Sequence, residues 1–426
     1  MDTAKRTREI LWLNVAFLIS TPLAAAVLTP VYIAQHGVLA SEIWACVGLW
    51  FLTGLGITAG YHRLFSHRSY KASWPVRLVF AIIGAAACQN SIIAWASDHR
   101  THHRHVDTET DPYDANRGFW FSHIGWIFLG GRRDASYPNV PDLWSDPVCR
   151  WQHTYYWPIS IAFNLAVPIA LGVWSGRLGG MLLFAGLLRI VLVHHFTFTI
   201  NSLAHMWGSR PWSDENTARD NWFLSLLSFG EGYHNFHHAY QHDYRNGPKW
   251  YNYDPSKWLI WSLSHSALVW DIKRTPDELL IRSRSRFAKE RMLQKLAERP
   301  GRSLEDWAAT FREGDRILTI EIEDGQQQQQ HNGPLSTRIE LLRGYLLNHV
   351  DTAENALESA LKELKKRRTA LTAKLRNANR LPRAEHTAAI RRDLDELKRS
   401  FREARRQAKQ ALRDLVRTYQ TCQTRL

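Results

Sequence analysis

Cysteine is scarce in this chain. Its four residues, Cys46, Cys88, Cys149 and Cys422, are scattered through 426 positions and never form a C-x-x-C pair. This spacing gives no disulfide framework and no Cys-rich site for zinc or an iron–sulfur cluster. Acidic residues are also in the minority, because 40 Asp and Glu stand against 54 Lys and Arg, for a net charge of +14. Nothing in the composition points to an oxidising compartment.

The mean hydropathy of -0.34 hides two unlike parts of the chain. All but one of the 19 tryptophans precede Lys273, where they flank long apolar runs. Residues 335–426 hold two basic residues for every acidic one, so most of the excess positive charge lies there. Tryptophan beside apolar runs is typical of a membrane–water interface. The composition therefore predicts a membrane domain followed by a basic extension.

Four apolar runs each have about the 20 residues that a helix needs to cross ~30 Å of hydrocarbon. They cover about residues 10–33, 38–59, 155–174 and 181–205. Lys5, Arg6 and Arg8 precede the first run, which indicates that its start lies in the cytoplasm. A signal peptide is the alternative, but the run is too long and a second run follows at once. We expect an integral, multi-pass, all-α protein of a bacterial inner membrane, with both termini cytoplasmic.

Histidine is concentrated in three motifs: His62-Arg-Leu-Phe-Ser-His67, His99-Arg-Thr-His102-His103 and His234-Asn-Phe-His237-His238. Positions three and four apart share a helix face, so we expect each triplet to converge on one point. Any single histidine is more often a core or surface residue than a ligand. Eight clustered imidazoles, however, are too many for one ion and predict two metal ions. All-imidazole ligation suits iron, zinc, copper or nickel, and the residues alone leave this choice open.

Polar residues also mark the apolar runs themselves. Asn201 and His205, one helical turn apart at the end of the fourth run, are candidates for the same site, with a helix–helix hydrogen bond as the alternative. His194 and His195 lie deeper, and we interpret them as structural. A further apolar run, Val76 to Ala96, separates the first two histidine motifs and contains the polar Gln89 and Asn90. A crossing there would put those motifs on opposite faces, so we predict a bent or re-entrant segment packed in protein.

The chain changes character after Asp271. Residues 271–323 read as a charged helical segment, with a capping box opening at Ser303. Residues 324–334 form a glutamine-rich linker. Apolar residues then recur at heptad spacing on both sides of Leu381-Pro382, which predicts a basic, antiparallel, coiled-coil-like helical hairpin over residues 335–426. The hairpin is either a solvated helix pair without a partner or a surface for anionic lipid or another protein.

Residues 54–270 carry five strings that resemble the membrane fatty acyl desaturases, in particular the delta-9 acyl-CoA branch. They are Gly56-Ile-Thr-Ala-Gly-Tyr-His62, the first histidine motif with its continuation to Lys71, Arg117-Gly-Phe-Trp-Phe-Ser-His-Ile-Gly-Trp126, Asn201-Ser-Leu-Ala-His205 and Gly230-Glu-Gly-Tyr-His-Asn-Phe-His-His238. The resemblance makes residues 1–270 a desaturase domain with a cytoplasmic, histidine-rich di-iron cap. It implies two Fe2+ ions and O2 as co-substrate. The implied ligands are His62, His67, His99, His102, His103, His205, His234, His237 and His238, with Asn201 reaching one iron through water.

The resemblance also implies a narrow acyl tunnel that bends at the irons. Trp95 and Thr197 would flank the bend, and Gln89 and Asn90 would lie near the mouth. Trp50 and Gly54 would lie near the blind end, although a lipid-facing aromatic is the alternative for Trp50. Five carboxylates near the motifs are candidates to orient the ligands, or are ordinary surface groups. They are Asp98, Asp107, Glu109, Asp111 and Glu231.

The carrier of the acyl chain is less defined by the resemblance. Ser97 stands where an arginine for the coenzyme A phosphates is expected, and Arg132 and Arg133 are candidates to replace it. Acyl-CoA is favoured, with acyl carrier protein or a membrane lipid as alternatives. The sequence has no fused haem-binding or ferredoxin-like module, so we expect a separate electron donor of the ferredoxin or cytochrome b5 type with its reductase. We expect membrane lipid as a partner and no nucleic acid.

Two other functions remain open at this stage. A di-iron hydroxylase or alkane monooxygenase uses a similar histidine-rich site, although the Asn201–His205 pairing and the motif spacing favour desaturation. A non-catalytic metal or haem carrier is the second alternative. Carriers need few axial ligands at membrane depth, whereas these motifs are dense and follow the apolar runs.

Overall fold

The computed structural model describes residues 9–129, 136–297, 335–378 and 388–425. They fall into two units, Met1–Thr275 and Pro276–Leu426. Several of the sequence predictions lie outside the described residues: Arg132 and Arg133, the capping box at Ser303 and the glutamine-rich linker.

Helices make up most of the first unit. A π-helix, Gly56–Ser66, continues the α-helix that ends at Leu55, and a second one, Leu182–Leu188, joins the α-helix that ends at Met181 to the one that begins at Arg189. A two-stranded antiparallel sheet pairs β1 (Lys71–Ala72) with β2 (Val269–Trp270). In chain order the α-helices are α1 (Trp12–His36), α2 (Ala40–Leu55), α3 (Trp74–Ala85), α4 (Ile92–His105), α5 (Phe119–His123), α6 (Pro141–Trp144), α7 (Pro147–Thr154), α8 (Tyr156–Ser175), α9 (Leu178–Met181), α10 (Arg189–Asn201), α11 (Leu203–Met206), α12 (Trp222–Leu227), α13 (His234–Ala239) and α14 (Pro255–Leu263).

Four continuous helical stretches confirm the predicted spans. They cover Trp12–His36, Ala40–Ser66, Tyr156–Ser175 and Leu178–Met206, and each is long and apolar enough to cross a membrane. At the end remote from the histidines, Arg177 Nε donates to Glu42 Oε1 over 3.0 Å, and Tyr32 Oη donates to the same oxygen over 2.8 Å. Glu42 is fully buried. Its hydrogen bonds with Arg177 and Tyr32 connect the turn between the first two spans to the turn between the last two.

The apolar segment between the first two histidine motifs is bent, as predicted. Helix α3 has 12 residues, or ~18 Å, which is too short to cross the hydrocarbon. The chain turns at residues 86–91 and returns as α4. Helix α10 supplies partners for the carbonyls of the turn: Arg189 Nη1 donates to Ala86 O over 2.8 Å, and His194 Nε2 lies 2.8 Å from Ala87 O. The irregular backbone is therefore satisfied from within the protein, as a membrane requires.

Side-chain caps begin several short helices outside the spans. Asp146 accepts from the Val148 and Cys149 amides at the start of α7, and Asp254 accepts from the Lys257 amide at the start of α14. These bonds satisfy amides that have no partner within the helix. These caps define where the short helices begin, and the short helices cover the histidine-bearing ends of the spans.

The described residues of the second unit form three helices: α15 (Asp277–Ala297), α16 (Leu335–Ala378) and α17 (Ala388–Arg425). The predicted antiparallel helix pair is present. Lys374 near the end of α16 contacts Asp393 near the start of α17, and Tyr419 near the end of α17 donates to Glu354 of α16 over 2.6 Å. Its heptad residues form a buried cluster. Helix α15 adds Ile281 to that cluster and pairs Lys289 with Glu354 over 2.7 Å. The charged segment thus packs on the hairpin, which the sequence did not predict.

Candidate functional site

The first histidine motif lies on a π-helix. The His67 amide donates to the His62 carbonyl over 3.0 Å, which is the i to i+5 bond of π-helical backbone. In a regular α-helix, residues five apart would point about 140° away from each other. The wider turn brings both imidazoles to one side, with ring centroids 4.7 Å apart. The local change of helix type explains why a spacing of five can serve one site.

The other two motifs do not each converge on one point, and that prediction was wrong. In α4, His99 and His103 join one group while His102 joins another; in α13, His237 separates from His234 and His238 in the same way. Adjacent positions on a helix point about 100° apart, so each triplet spans two neighbouring sites. The five-histidine group contains His62, His67, His99, His103 and His237, and the four-histidine group contains His102, His205, His234 and His238.

The ring nitrogens within each group face one another. Nε2 of His67 lies 2.7 Å from Nε2 of His99, and Nε2 of His234 lies 3.1 Å from Nε2 of His205. Within each group the offered nitrogens all lie within 4.8 Å of one another. Burial lowers the pKa of His99, His103, His234, His237 and His238 well below the ordinary value, and the neighbouring imidazoles add to this effect. Neutral imidazoles with converging lone pairs fit two metal ions, as the sequence predicted.

A buried carboxylate orients one histidine of the five-histidine group. His62 Nδ1 lies 2.8 Å from Glu231 Oε2. Because a carboxylate can only accept, the proton belongs on Nδ1, and Nε2 keeps its lone pair for a metal. Glu231 is held in turn by Arg63 Nη2 at 2.8 Å and by Asn246 Nδ2 at 2.6 Å. Arg63 also contacts Asp254 over 2.9 Å, so its buried charge is shared between two carboxylates.

Two carboxylates orient histidines of the four-histidine group. Both oxygens of Asp111 lie 2.9 Å from His102 Nδ1. Burial alone would raise the pKa of Asp111, but the neighbouring His102 and two backbone amides lower it overall, so the group accepts as a carboxylate. Asp107 acts through a hydroxyl, because Thr217 Oγ1 donates to it over 2.6 Å and lies 2.8 Å from His205 Nδ1. Of the other carboxylates predicted to help, Asp98 lines the cavity and Glu109 is exposed.

A cavity of 770 Å³ adjoins both groups. Its size is within the range of small-molecule sites, roughly 300–1,000 Å³. The cavity is lined by His62 and His99 of the five-histidine group and by His102 and His234 of the four-histidine group. Five residues that the sequence proposed for ligand or substrate contact also lie on its wall: Gln89, Asn90, Trp95, Thr197 and Asn201.

Several of these wall residues contact each other or the histidines. Gln89 Nε2 donates to Thr197 Oγ1 over 3.2 Å, and the Asn90 amide donates to Tyr156 Oη over 2.9 Å. Trp95 stacks on His99 with a centroid distance of 4.8 Å. Ser97, which replaces the expected arginine, donates to Asn139 Oδ1 over 2.6 Å.

Trp50 and Gly54 do not line this cavity. The ring of Phe229 packs against both, with its centroid 4.8 Å from that of Trp50. Sequence reasoning missed Phe229, and it also missed Arg63, Thr217 and Asp254. Only Arg63 offered a signal, as a charged residue adjoining His62; the others come from distant parts of the chain.

Comparison with known proteins agrees with this geometry. The family model described as "Fatty acid desaturase" matches residues 42–271. The chain is 37% identical to "Probable acyl-CoA desaturase" of Schizosaccharomyces pombe, over 75% of this chain and 65% of the relative. It is 41% identical to "Acyl-CoA desaturase 1" of Saccharomyces cerevisiae, over 62% of this chain and 52% of the relative. It is 38% identical to "Stearoyl-CoA desaturase 5" of Bos taurus, over 64% of this chain and 82% of the relative.

The match thus spans less than two thirds of either yeast protein but most of the bovine one. The family-model match includes the three histidine motifs and every cavity-lining residue after residue 42. Coverage of this extent shows that the chain belongs to the fatty acid desaturase family.

Proposed function

We propose that this protein is an oxygen-dependent di-iron desaturase that introduces a cis double bond at the delta-9 position of a long-chain saturated acyl group. The observation that carries this proposal is the meeting of two all-imidazole groups at one cavity. Two metal sites beside space for a ligand suit a redox reaction better than storage or transport of a metal. A metal or haem carrier, which is the alternative, would not need nine convergent histidines.

The five-histidine group would hold one iron and the four-histidine group the other, and Asn201 would assist as an indirect ligand. Bound iron supplies the activation of dioxygen that no side chain provides. The protein contributes orientation: Glu231 and Asp111 fix the tautomers of His62 and His102, and Thr217 does the same for His205. In the overall reaction two neighbouring methylenes lose one hydrogen each, and O2 with two electrons and two protons becomes two waters.

The acyl chain occupies the cavity, where Trp95 and Thr197 position it beside the histidines and Gln89 and Asn90 lie toward the mouth. About half of the residues around this space are polar, but most of the wall surface is apolar. The apolar surface can bind the chain without specific polar contacts, and the polar groups help to set its register. Register decides which methylene pair lies next to the metal groups.

The carrier is acyl-CoA in this proposal, because the relatives' names specify acyl-CoA or stearoyl-CoA. Acyl carrier protein and lipid-linked chains are the alternatives, since Ser97 replaces an expected arginine. The electrons come from a separate protein of the ferredoxin or cytochrome b5 type with its reductase. We place the chain in a bacterial inner membrane, with the histidine groups and both termini on the cytoplasmic side.

Lipid analysis of cells that express the chain tests this function. We expect new monounsaturated chains with a cis double bond at carbon nine, located by derivatisation and mass spectrometry. A hydroxylated product without an alkene would identify a hydroxylase instead. The matched control is the same chain with His237→Ala, which should give neither product.

A further inference from the structure

An arginine lies buried inside the fourth membrane span. Arg189 begins α10 within the stretch Leu178–Met206, and its side chain is fully buried. No ion pair among the described residues includes it, so its charge has no carboxylate beside it. A charged side chain at membrane depth is costly, and the packing of one apolar helix on another does not require it. The contacts of Arg189 must therefore account for its presence.

The guanidinium joins three segments of the chain. Nη1 donates to Ala86 O over 2.8 Å in the turn that follows α3, and Nη2 donates to Asn164 Oδ1 of α8. Nε donates over 3.1 Å to Ala185 O, one helical turn earlier in the same span. Asn164 Nδ2 also donates to Ala86 O, over 3.2 Å, so two helices hold the same carbonyl. A planar guanidinium presents its donors as a fixed fork and can make all these bonds at once, which a lysine ammonium cannot.

The turn that Arg189 holds has an unusual backbone. Cys88 has a φ of +55° and Asn90 a φ of +81°, both of them left-handed conformations that are uncommon for residues other than glycine. Such conformations persist only where the surrounding contacts hold them. The bonds to Ala86 O, two residues before Cys88, are among these contacts. The direction of Gln89, between the two left-handed residues, therefore depends on how the turn is held.

This turn presents side chains to the cavity and opens the helix that carries the second histidine motif. Gln89 and Asn90 line the cavity, whereas Arg189 is not among the described residues that line it. Ser91 follows and accepts from the Ala94 amide at the start of α4. A displaced turn would therefore move two polar groups of the cavity wall relative to the histidines further along α4.

We propose that Arg189 is a positioning residue for the acyl chain: it holds the turn so that Gln89 and Asn90 set the register of the chain at the histidine groups. This inference rests on the proposed function and deepens it, because register decides which methylene pair reacts. A purely structural role predicts that stability and activity fall while the products stay the same. A positioning role predicts different products from protein that is still folded.

The test replaces Arg189 in the full-length protein. Arg189→Gln puts one amide in place of the fork, and Arg189→Lys keeps the charge on a single ammonium group. Mass spectrometry of lipids from cells that express each variant maps the double bonds. We expect a severalfold larger share of double bonds next to the natural position, more in Arg189→Gln than in Arg189→Lys, while the purified proteins keep the natural iron content. Where Arg189→Gln does not accumulate, Arg189→Lys decides. Double bonds at the natural position alone, in folded variants, would overturn the proposal.

Arg177→Gln is the matched control. Arg177 also connects spans, through its bond to Glu42, but its contacts lie at the end of the spans remote from the histidines. This variant should have a lower melting temperature and an unchanged double-bond position. A positional shift of the same size in Arg177→Gln would show a general loosening of the membrane domain and would overturn the specific role of Arg189.

Hydrogen exchange in nanodiscs gives a second readout that needs no turnover. The Cys88 amide donates to Ala85 O over 3.0 Å within the turn. Peptides that cover this turn should exchange severalfold faster in Arg189→Gln and at the natural rate in Arg177→Gln. Unchanged exchange in Arg189→Gln would show that Arg189 does not hold the turn. If the natural chain forms no double bond but exchange follows this pattern, the proposed function fails while the control of the turn by Arg189 stands.

Discussion

The ring of Phe229 fills the place that a side chain on Gly54 would need. A β-carbon on Gly54 would lie 2.0 Å from Phe229 Cε2, well inside contact distance. Phe229 has a φ of +57°, a left-handed conformation that is uncommon for an aromatic residue. It also packs edge-on against Phe51 at a centroid distance of 5.4 Å. Such a residue is held in place by its surroundings, and it closes the region where the resemblance puts the end of the acyl tunnel.

We predict that Phe229→Ala shifts the products toward longer acyl chains. Removing the ring opens space between Trp50, Phe51 and Gly54, at a stability cost of about 3–5 kcal/mol for a buried Phe→Ala change. Product chain lengths, measured by gas chromatography from cells, check the prediction. Phe223→Ala is the control, because Phe223 is exposed in the preceding helix. An active variant with an unchanged chain-length profile would show that the acyl end does not reach Phe229.

The metal content of two neighbouring variants should differ. His102→Ala leaves three histidines in the four-histidine group, whereas His103→Ala leaves four in the other group. We expect His102→Ala to lose more of its iron than His103→Ala, and the natural protein to hold about two irons per chain on the proposed function. Elemental mass spectrometry of purified protein measures this. The exposed His265→Ala should retain full iron content, and equal losses in His102→Ala and His103→Ala would contradict the division into two groups.

Glu231 should control metal affinity through His62. Glu231→Gln removes the negative charge behind His62 Nδ1 and one of the two acceptor oxygens that His62, Arg63 and Asn246 share. Asp254 is then the one carboxylate left in contact with the buried Arg63 among the described residues. We expect metal affinity to fall by roughly 10–100-fold, which is the usual effect of removing a group that orients a metal ligand. Competition with a chelator gives the affinity of both proteins. Glu109→Gln, at an exposed carboxylate near the second motif, should behave like the natural protein; a similar loss in both variants would argue for a general charge effect.

These residues show how far the sequence could predict the molecule. Hydropathy was sufficient for the four spans, and the need to keep His62 and His99 on one side predicted the bend between α3 and α4. The histidine motifs identified all nine members of the two groups when joined to the resemblance. Their division was not predictable, because it depends on the π-helical turn at His62 and on how α4 and α13 face each other. Phe229, Thr217 and Asp254 enter the site only through tertiary packing, which leaves no local pattern.

His123 should add to the acid sensitivity of the fold. Burial lowers its pKa to about 4, and the neighbouring His195 adds to the effect; its ring contacts Ser202 Oγ at 3.0 Å and His195 Nδ1 at 3.1 Å. In the unfolded chain the pKa is about 6.5. The unfolded state therefore binds the proton first, and this stability is complete above pH ~6.5 and is lost as the pH falls toward 4.

We expect the melting temperature of His123→Gln to fall less steeply than that of the natural protein between pH 7 and pH 5. Thermal unfolding in detergent at matched metal content measures both slopes. His265→Gln, at an exposed histidine, is the control and should keep the natural slope. A parallel decline in all three proteins would show that His123 exchanges protons equally in the folded and unfolded states.

The boundary of the tail matters because α15 belongs to the second unit. The boundary between the two units falls between Thr275 and Pro276 in the chain, and both histidine groups lie in the first unit. We therefore expect a chain that ends at Thr275 to remain folded, to bind iron and to be active.

A chain that ends at Asp324 keeps α15 without its partners, since Ile281 loses the cluster it shares with Leu361 and Ala408. Asp277 and Glu278 lose Arg405 and Arg368 as well. This longer chain should aggregate more, as seen by size-exclusion chromatography, because an apolar helix face becomes exposed. Loss of iron from the chain that ends at Thr275 would instead show that the first unit depends on the tail.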